Sequence, residues 1–526
     1  MATRKTVKYK GEMRLSFSRV LSAAMCGMEV IPVQVEADVS NGLPLFHMVG
    51  YLGAEVREAE ERVRTAIQNA CAALPPKRMV INLSPGNVRK RGTSYDLPIA
   101  LAVLAAAGLL QQECLEQVMA VGELGLDGSV QGIPGVLAIA AKAKEQNVKC
   151  LIVPSANERE ARLVEDICVC GIKSLGEIYQ HLLQNAAIGS IKKIDTTAIE
   201  GVDVGQGDFA DISGQSGMKR AAEIAVAGRH NLLMVGPPGS GKSMIAKRIP
   251  TIFPALTREE SLKITKVYSV AGLLKSEQPL VMERPFREVN QIVTKAALLG
   301  GGAWPKPGEL TLASGGVLFL DELAEFKRSV LEVLRQPLEE REVRIVRNHG
   351  VITYPADVML VAAMNPCPCG YFPDLNKCTC TTSQIRQYQG KISYPFLGRM
   401  DICAEVKGVA YEDLEREETS ESSDVIRGRI EKARRRQMDR AEDADFVYNA
   451  ELSGERLLRD CELRGAEKRM MRQAYDRFSL NARTYHKVLK VARTIADLAD
   501  EDRIGIEHLQ EALVYRSMDK KYWGRV

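Results

Sequence analysis

The segment Gly236-Pro237-Pro238-Gly239-Ser240-Gly241-Lys242-Ser243 follows an apolar run at residues 232–235 and precedes a helix-prone stretch at residues 244–249. A strand, a glycine-rich loop, Lys-Ser and a helix, in that order, commit this part of the chain to a nucleotide-binding α/β fold. The glycines let backbone N–H groups approach phosphates, Lys242 reaches the outer phosphates, and the Ser243 hydroxyl sits where a magnesium ligand is needed. A glycine-rich turn that merely opens a helix would not require all four parts together.

A second apolar run, residues 317–320, ends in Asp321-Glu322. A strand that delivers carboxylates to the edge of a parallel sheet ends this way. Asp321 is expected in the magnesium shell, and Glu322 is expected to polarise the attacking water. The chemistry described is ATP hydrolysis with magnesium.

At 526 residues the chain exceeds a single core and suggests about three domains. Its net charge of +4 leaves any nucleic-acid surface to local clustering. The longest apolar run, residues 97–110, is too short and Ala-rich for a bilayer span and reads as a buried helix; no membrane association is expected. The 12 cysteines, without a secretion signal, point to a reducing cytoplasm.

Residues 1–185 alternate short apolar runs, such as 79–83 and 151–153, with helical patterns and read as a mixed α+β domain. One helical pattern covers residues 54–74, with Val56, Val63, Ile67 and Ala70 on one face. Residues 186–207 lose periodicity and read as a linker. An ATPase core is expected over 208–410, and a helix-rich region, opening with an acidic stretch at 411–424, over 411–526. No tandem repeats occur.

Four further segments complete the pattern: residues 208–215 with Arg220 and Glu223; residues 361–370 with Asn365; residues 395–401 with Arg399; and residues 480–485 with Arg483. Their order around the phosphate loop resembles the AAA+ ATPases, specifically the magnesium-chelatase-like YifB/ComM family, over nearly the whole chain. The resemblance implies an α/β multidomain protein with a Lon-protease-like α+β N-terminal domain, a P-loop AAA+ parallel-sheet core and a C-terminal helical lid. It implies that residues 208–215 are the adenine-side entry motif and that Asn365 is the first sensor. Arg399 would be an arginine finger reaching a neighbour's site, and Arg483 the second sensor on the phosphates. An arginine finger in trans is worth ~10³-fold or more in rate, so hydrolysis would need a ring, and the resemblance implies a homo-hexamer. Read singly, Asn365 would serve as a turn cap before Pro366, and Arg399 and Arg483 as surface arginines. The chain departs from the family at Gly398, where Asp usually precedes the finger, and at Val289-Asn290, where paired histidines usually stand.

Residues 341–354 read as a β-hairpin that resembles the pore hairpin of helicase-type and chelatase-type relatives. Arg344, Arg347 and His349 are its candidates for phosphate contact; the alternative is a solvated hairpin with charged edges. Trp304, beside Gly300-Gly301-Gly302, is expected either to stack on a base or to anchor its loop. Arg427, Arg429, Arg434, Arg435, Arg436 and Arg440 read as a solvated face paired with acids such as Glu431 and Asp439.

Residues 83–96 resemble the region of the Lon nucleophile, with Ser94 at the matching position, whereas the base-lysine position holds Leu137. A serine without its base is a poor nucleophile, so the domain is expected to lack peptidase activity, like the Lon-like domain of the RadA recombination ATPases. Lys142 and Lys144 lie about one and two turns beyond Leu137 on a predicted helix and would point elsewhere; Arg89, Lys90 and Arg91 would form a basic loop facing DNA, the alternative being simple solvation. Finally, Cys367, Cys369, Cys378 and Cys380 form two close pairs that would enclose a structural zinc, the alternative being reduced, metal-free thiols.

Together these readings predict an ATP-driven hexameric motor on single-stranded or branched DNA, resembling ComM-type branch-migration helicases and working with recombination proteins. The first rival is a chelatase-like ATPase that remodels a protein partner without nucleic acid; an active ATP-dependent protease, disfavoured by Leu137, and a regulatory nucleotide-switch scaffold, disfavoured by Asp321-Glu322, are the others.

Overall fold

A computed structural model describes residues 7–9, 12–14, 17–184, 207–302, 305–347, 350–408, 421–441, 448–478 and 480–523. Trp304 and His349, both expected near DNA, lie outside the described residues, as do the linker up to residue 206 and residues 409–420. The chain forms two compact units, one of Met1–Gly201 with Arg258–Met282 and one of Val202–Thr257 with Glu283–Val526.

The first unit is built on a seven-stranded mixed sheet. Its strand order is Cys168–Ile172, Cys150–Pro154, Val118–Ala120, Phe17–Cys26, Glu29–Ser40, Arg78–Ser84 and Leu45–Val49. Phe17–Cys26 and Glu29–Ser40 pair as an antiparallel hairpin, and Val33, Val35, Ala37 and Val39 alternate into the core as a half-buried strand requires. The apolar run at 97–110 supplies the helix Asp96–Ala106, every residue of which is buried. The pattern at 54–74 is broken: helices Ala54–Arg57 and Ala59–Ala70 meet at Glu58, and the second ends at Cys71, whose φ of −127° and ψ of −77° leave the helical region. Val56, Val63 and Ile67 are buried as their spacing required.

Helix Arg258–Ala271 lies inside the span expected to be the ATPase core, residues 208–410, and folds with the first unit. Ser269 ties it there: its Oγ donates to the buried Glu160 carboxylate at 2.5 Å, and its carbonyl accepts from Gly135 N at 3.0 Å.

The second unit carries a five-stranded, all-parallel sheet ordered Phe286–Val289, Val317–Leu320, Met359–Met364, Leu232–Val235 and Ile402–Glu405. Every residue of Leu232–Val235, Val317–Leu320 and Met359–Met364 is buried. Strands covered on both faces read as continuous apolar runs for this reason. The carboxyl ends of these strands then place the phosphate loop, Asp321-Glu322 and Asn365 along one edge, where ligands of such sheets bind. The hairpin Glu342–Arg347 with Gly350–Pro355 is antiparallel, closing at Arg347 opposite Gly350. Helices Ser423–Ala441, Gly454–Asp460, Gly465–Phe478, Ala482–Leu498 and Ile506–Trp523 complete the unit.

The basic face on Ser423–Ala441 is largely neutralised, by other acids than its sequence neighbours Glu431 and Asp439. Arg427 pairs with Asp424, Arg429 with Glu223 and Glu421, Arg436 with Asp500 and Asp502, and Arg440 with Asp497.

Candidate nucleotide site and its arginine pair

The phosphate loop leaves the strand Leu232–Val235 at Gly236, whose N–H donates to Met364 O at 3.2 Å. A Cβ on Gly236 would lie 2.3 Å from Val406 O, so only glycine fits there. Gly239 and Gly241 take φ of +73° and +85°, the left-handed turn that brings consecutive amides to a concave anion nest. Lys242 opens the next helix, and its Nζ donates to Gly236 O (2.9 Å), Pro237 O (2.7 Å) and Asn365 Oδ1 (3.2 Å). Burial lowers the Lys242 pKa, with Asp321 opposing. Ser240 Oγ braces the loop through Pro237 O at 2.8 Å.

Ser243 Oγ donates to Asp321 Oδ2 at 2.5 Å. A hydroxyl and a carboxylate in contact at the mouth of a phosphate loop form the oxygen donor set that magnesium takes alongside phosphate oxygens. Glu322 is held at φ 51°, ψ 46°, a left-handed backbone that a non-glycine residue adopts at a cost, and it is exposed. Its N–H donates to Asp321 Oδ1 at 2.8 Å. The structure thus gathers Gly236 to Ser243, Asp321, Glu322 and Asn365 at one sheet edge.

Arg399 and Arg483 lie elsewhere: neither bonds the phosphate loop, and both meet Glu339. Arg399 Nη2 is 2.6 Å from Glu339 Oε2, and Arg483 Nη2 bonds Glu339 Oε1. The Arg399 segment is anchored from below. Met400 O accepts from Lys487 Nζ (3.1 Å) and Arg516 Nη1 (2.9 Å), while Arg399 O accepts from Asn231 Nδ2 (3.0 Å). Asp401 bonds Lys487 Nζ at 2.7 Å and Asn231 N at 2.9 Å. Burial by itself would raise the Asp401 pKa; Lys487 and His230 outweigh it and hold it below the ordinary value. Gly398 has φ −59° and an ordinary helical backbone, so no conformational demand calls for glycine, although a Cβ there would lie a tight 3.3 Å from Pro395 O.

Glu339, Asn231 and Lys487 were not singled out from the sequence. Lys487 carried a readable signal, four residues beyond Arg483 on one helix face; Glu339 and Asn231 carried none.

Cys367, Cys369, Cys378 and Cys380 place their sulfurs within 4.8 Å of one another. Three Sγ separations are 3.4, 3.5 and 3.8 Å. A tetrahedral zinc with Zn–S of about 2.3 Å spaces its sulfurs about 3.8 Å apart, so the quartet fits that ion. The loop leaves from Asn365-Pro366, and the buried Gln389 braces its root by donating Nε2–H to Pro366 O at 2.9 Å.

In the first unit Leu137 is buried and its amide donates to Glu160 at 2.8 Å. Lys142 and Lys144 pair with Glu145 and Asp166. Arg89 lies over the Tyr51 ring at 5.4 Å, and Lys90 is buried, its Nζ donating to Pro85 O. On the hairpin, Arg344 pairs with Glu342 at 3.3 Å, and Arg347 Nε donates to Gly302 O at 3.4 Å.

A five-stranded parallel sheet with the phosphate loop on the fourth strand in spatial order and Asp-Glu two strands away defines a P-loop nucleotide-binding protein of the AAA+ class. Residues 208–414 match the family model described as magnesium chelatase, subunit ChlI; residues 35–157 match subunit ChlI of Mg-chelatase, and residues 420–516 match the ChlI C-terminal model. The chain is 39% identical to competence protein ComM of Haemophilus influenzae over 508 residues, covering 96% of this chain and 98% of that protein. It is 38% identical to YifB of Escherichia coli over 510 residues, covering 96% and 98%, and 39% identical to Rv2897c of Mycobacterium tuberculosis over 507 residues, covering 95% and 99%. The chain belongs to the magnesium-chelatase-like AAA+ family of YifB and ComM. No described helix is long and apolar enough to cross a membrane.

Proposed function

We propose that this protein is an ATP-hydrolysing ring motor that acts on single-stranded or branched DNA as a branch-migration helicase, in the cytoplasm and alongside recombination proteins. The observation that carries the need for a ring is the separation of parts: Lys242, Ser243, Asp321, Glu322 and Asn365 gather at one sheet edge, while Arg399 and Arg483 meet at Glu339. A site lacking its arginines is completed by a neighbour's, which favours a homo-hexamer. In that arrangement Arg483 serves the neighbour's nucleotide together with Arg399, instead of the phosphates of its own subunit.

Within one site the amides of the phosphate loop and Lys242 would bind and orient the ATP phosphates, and Ser243 with Asp321 would hold magnesium. That ion, when bound, neutralises charge developing on the phosphates. Glu322 would accept a proton from the attacking water, and Asn365 would fix the outer phosphate from the far side of Lys242. The Cys367, Cys369, Cys378 and Cys380 thiolates would hold a structural zinc that stiffens the chain leaving Asn365.

Support for DNA comes from the competence protein among the relatives and from the hairpin, which presents Arg344, Val346 and Val351 to solvent. The chelatase descriptions of all three matched families favour the second reading, a protein-remodelling ATPase. ATP hydrolysis measured with and without single-stranded DNA, with Glu322→Gln as the blank, separates the two. Stimulation by DNA that is lost in the blank supports the motor; hydrolysis indifferent to DNA at low salt supports protein remodelling.

A further inference from the structure

Glu339 is half exposed and offers one carboxylate oxygen to each of two guanidinium groups that arrive from distant parts of the chain. Arg399 comes from the segment before the last sheet strand, and Arg483 from the first turn of the helix Ala482–Leu498. The Arg399 side chain is only 8% exposed; its Nε donates to Arg335 O at 3.3 Å, and its Nη1 is buried with no hydrogen-bond partner. A buried guanidinium with an unused donor is built to take a further acceptor. Burial lowers the Arg399 pKa, and the Arg483 and Arg335 charges lower it further, while Glu339 and, less strongly, Glu332 oppose them.

We propose that Glu339 is a positioning residue that holds Arg399 and Arg483 side by side in the place of a neighbouring subunit's terminal phosphate, and that it releases them when that phosphate arrives. The inference rests on the reading that both arginines serve a neighbour's nucleotide. A phosphoryl group offers more oxygens and more charge than one carboxylate, so it satisfies both cations and the idle Nη1. The Arg483 half of the exchange is inexpensive, because both members of that pair are about half exposed and such pairs contribute little. Glu339 sits on the short helix Pro337–Glu340, immediately before the hairpin strand that starts at Glu342. Its release therefore occurs at the root of the hairpin.

Removing the Glu339 charge destabilises the disengaged state: the competitor for the phosphate is gone, and the two cations repel with only the Glu332 charge left to relieve Arg399. The test is ATP-driven assembly of the full-length chain carrying Glu322→Gln, followed by sedimentation at fixed protein concentration while ATP is varied. Adding Glu339→Gln is expected to lower the ATP midpoint for assembly about 2- to 5-fold, the upper part of the range that exposed pairs span. Adding it to an Arg483→Ala chain is expected to shift the midpoint less, because one of the two bridged cations is absent; a merely structural Glu339 would shift both chains equally. An unchanged or raised midpoint, or equal shifts in both backgrounds, overturns the proposal. Nucleotide-driven assembly that survives Arg399→Ala unaltered instead overturns the trans reading on which the proposal stands.

Discussion

Gly370 packs so closely on the phosphate loop that a Cβ built on it would lie 2.3 Å from Cδ of Pro238. Its φ of +87° adds a second reason for glycine, since an L side chain pays about 1–2 kcal/mol in that conformation. The cysteine loop is therefore a wall of the candidate nucleotide site. Gly370→Ala is expected to push Pro238 out of line and weaken nucleotide binding at least tenfold, read by titration with a fluorescent ATP analogue. Wild-type affinity in a folded Gly370→Ala protein would break the link between the two loops.

If the four sulfurs hold zinc, metal analysis of the purified protein should find about one zinc per chain, and Cys378→Ser should reduce it. Stripping the metal is expected to lower ATPase activity, because the chain leaves Asn365 directly into this loop, and readdition of zinc should restore it. Full activity in protein shown to be metal-free would sever the cluster from catalysis.

Asp401 and Lys487 form a buried pair at 2.7 Å directly beneath the Arg399 segment. Asp401→Asn leaves the ammonium without its counter-charge, a change that costs about 3–5 kcal/mol at such sites. Chemical denaturation is expected to report a loss of that size. Turnover should fall further than the unfolded fraction accounts for, because Met400 O and Arg399 lose their anchor.

His230 is fully buried; its Nε2 lies 2.8 Å from Thr494 Oγ1, and burial pushes its pKa from 6.5 down to about 4. The folded state keeps the imidazole neutral while the unfolded chain protonates it. Its stabilising effect is therefore complete above about pH 6.5 and is lost as pH falls toward about 4. The slope reaches up to about 1.4 kcal/mol per pH unit. The stability difference between wild type and His230→Gln should change with pH only in that window; a constant difference from pH 7 to 4 would contradict the assignment.

What the sequence disclosed followed from where physics forces contiguity. A phosphate cradle needs consecutive amides, so Gly236 to Ser243 was readable as a string, and Asp321 and Asn365 were readable as polar residues terminating runs of buried strand. The pairing of Glu339 with Arg483 spans 144 residues, and no local pattern encodes it. The arginines of Ser423–Ala441 mislead for the same reason, since their partners Glu223, Asp497 and Asp500 come from other elements of the fold. The break at Glu58 escaped because Val56, Val63 and Ile67 keep helical spacing across it.

Helix Arg258–Ala271 belongs to the first unit, yet the chain reaches it only after the phosphate loop. A ribosome making this protein from its N-terminus therefore cannot release a finished first unit before the nucleotide loop has been synthesised. Glu160 waits for Ser269, and the two units mature as interleaved products of one translation event instead of as successive ones.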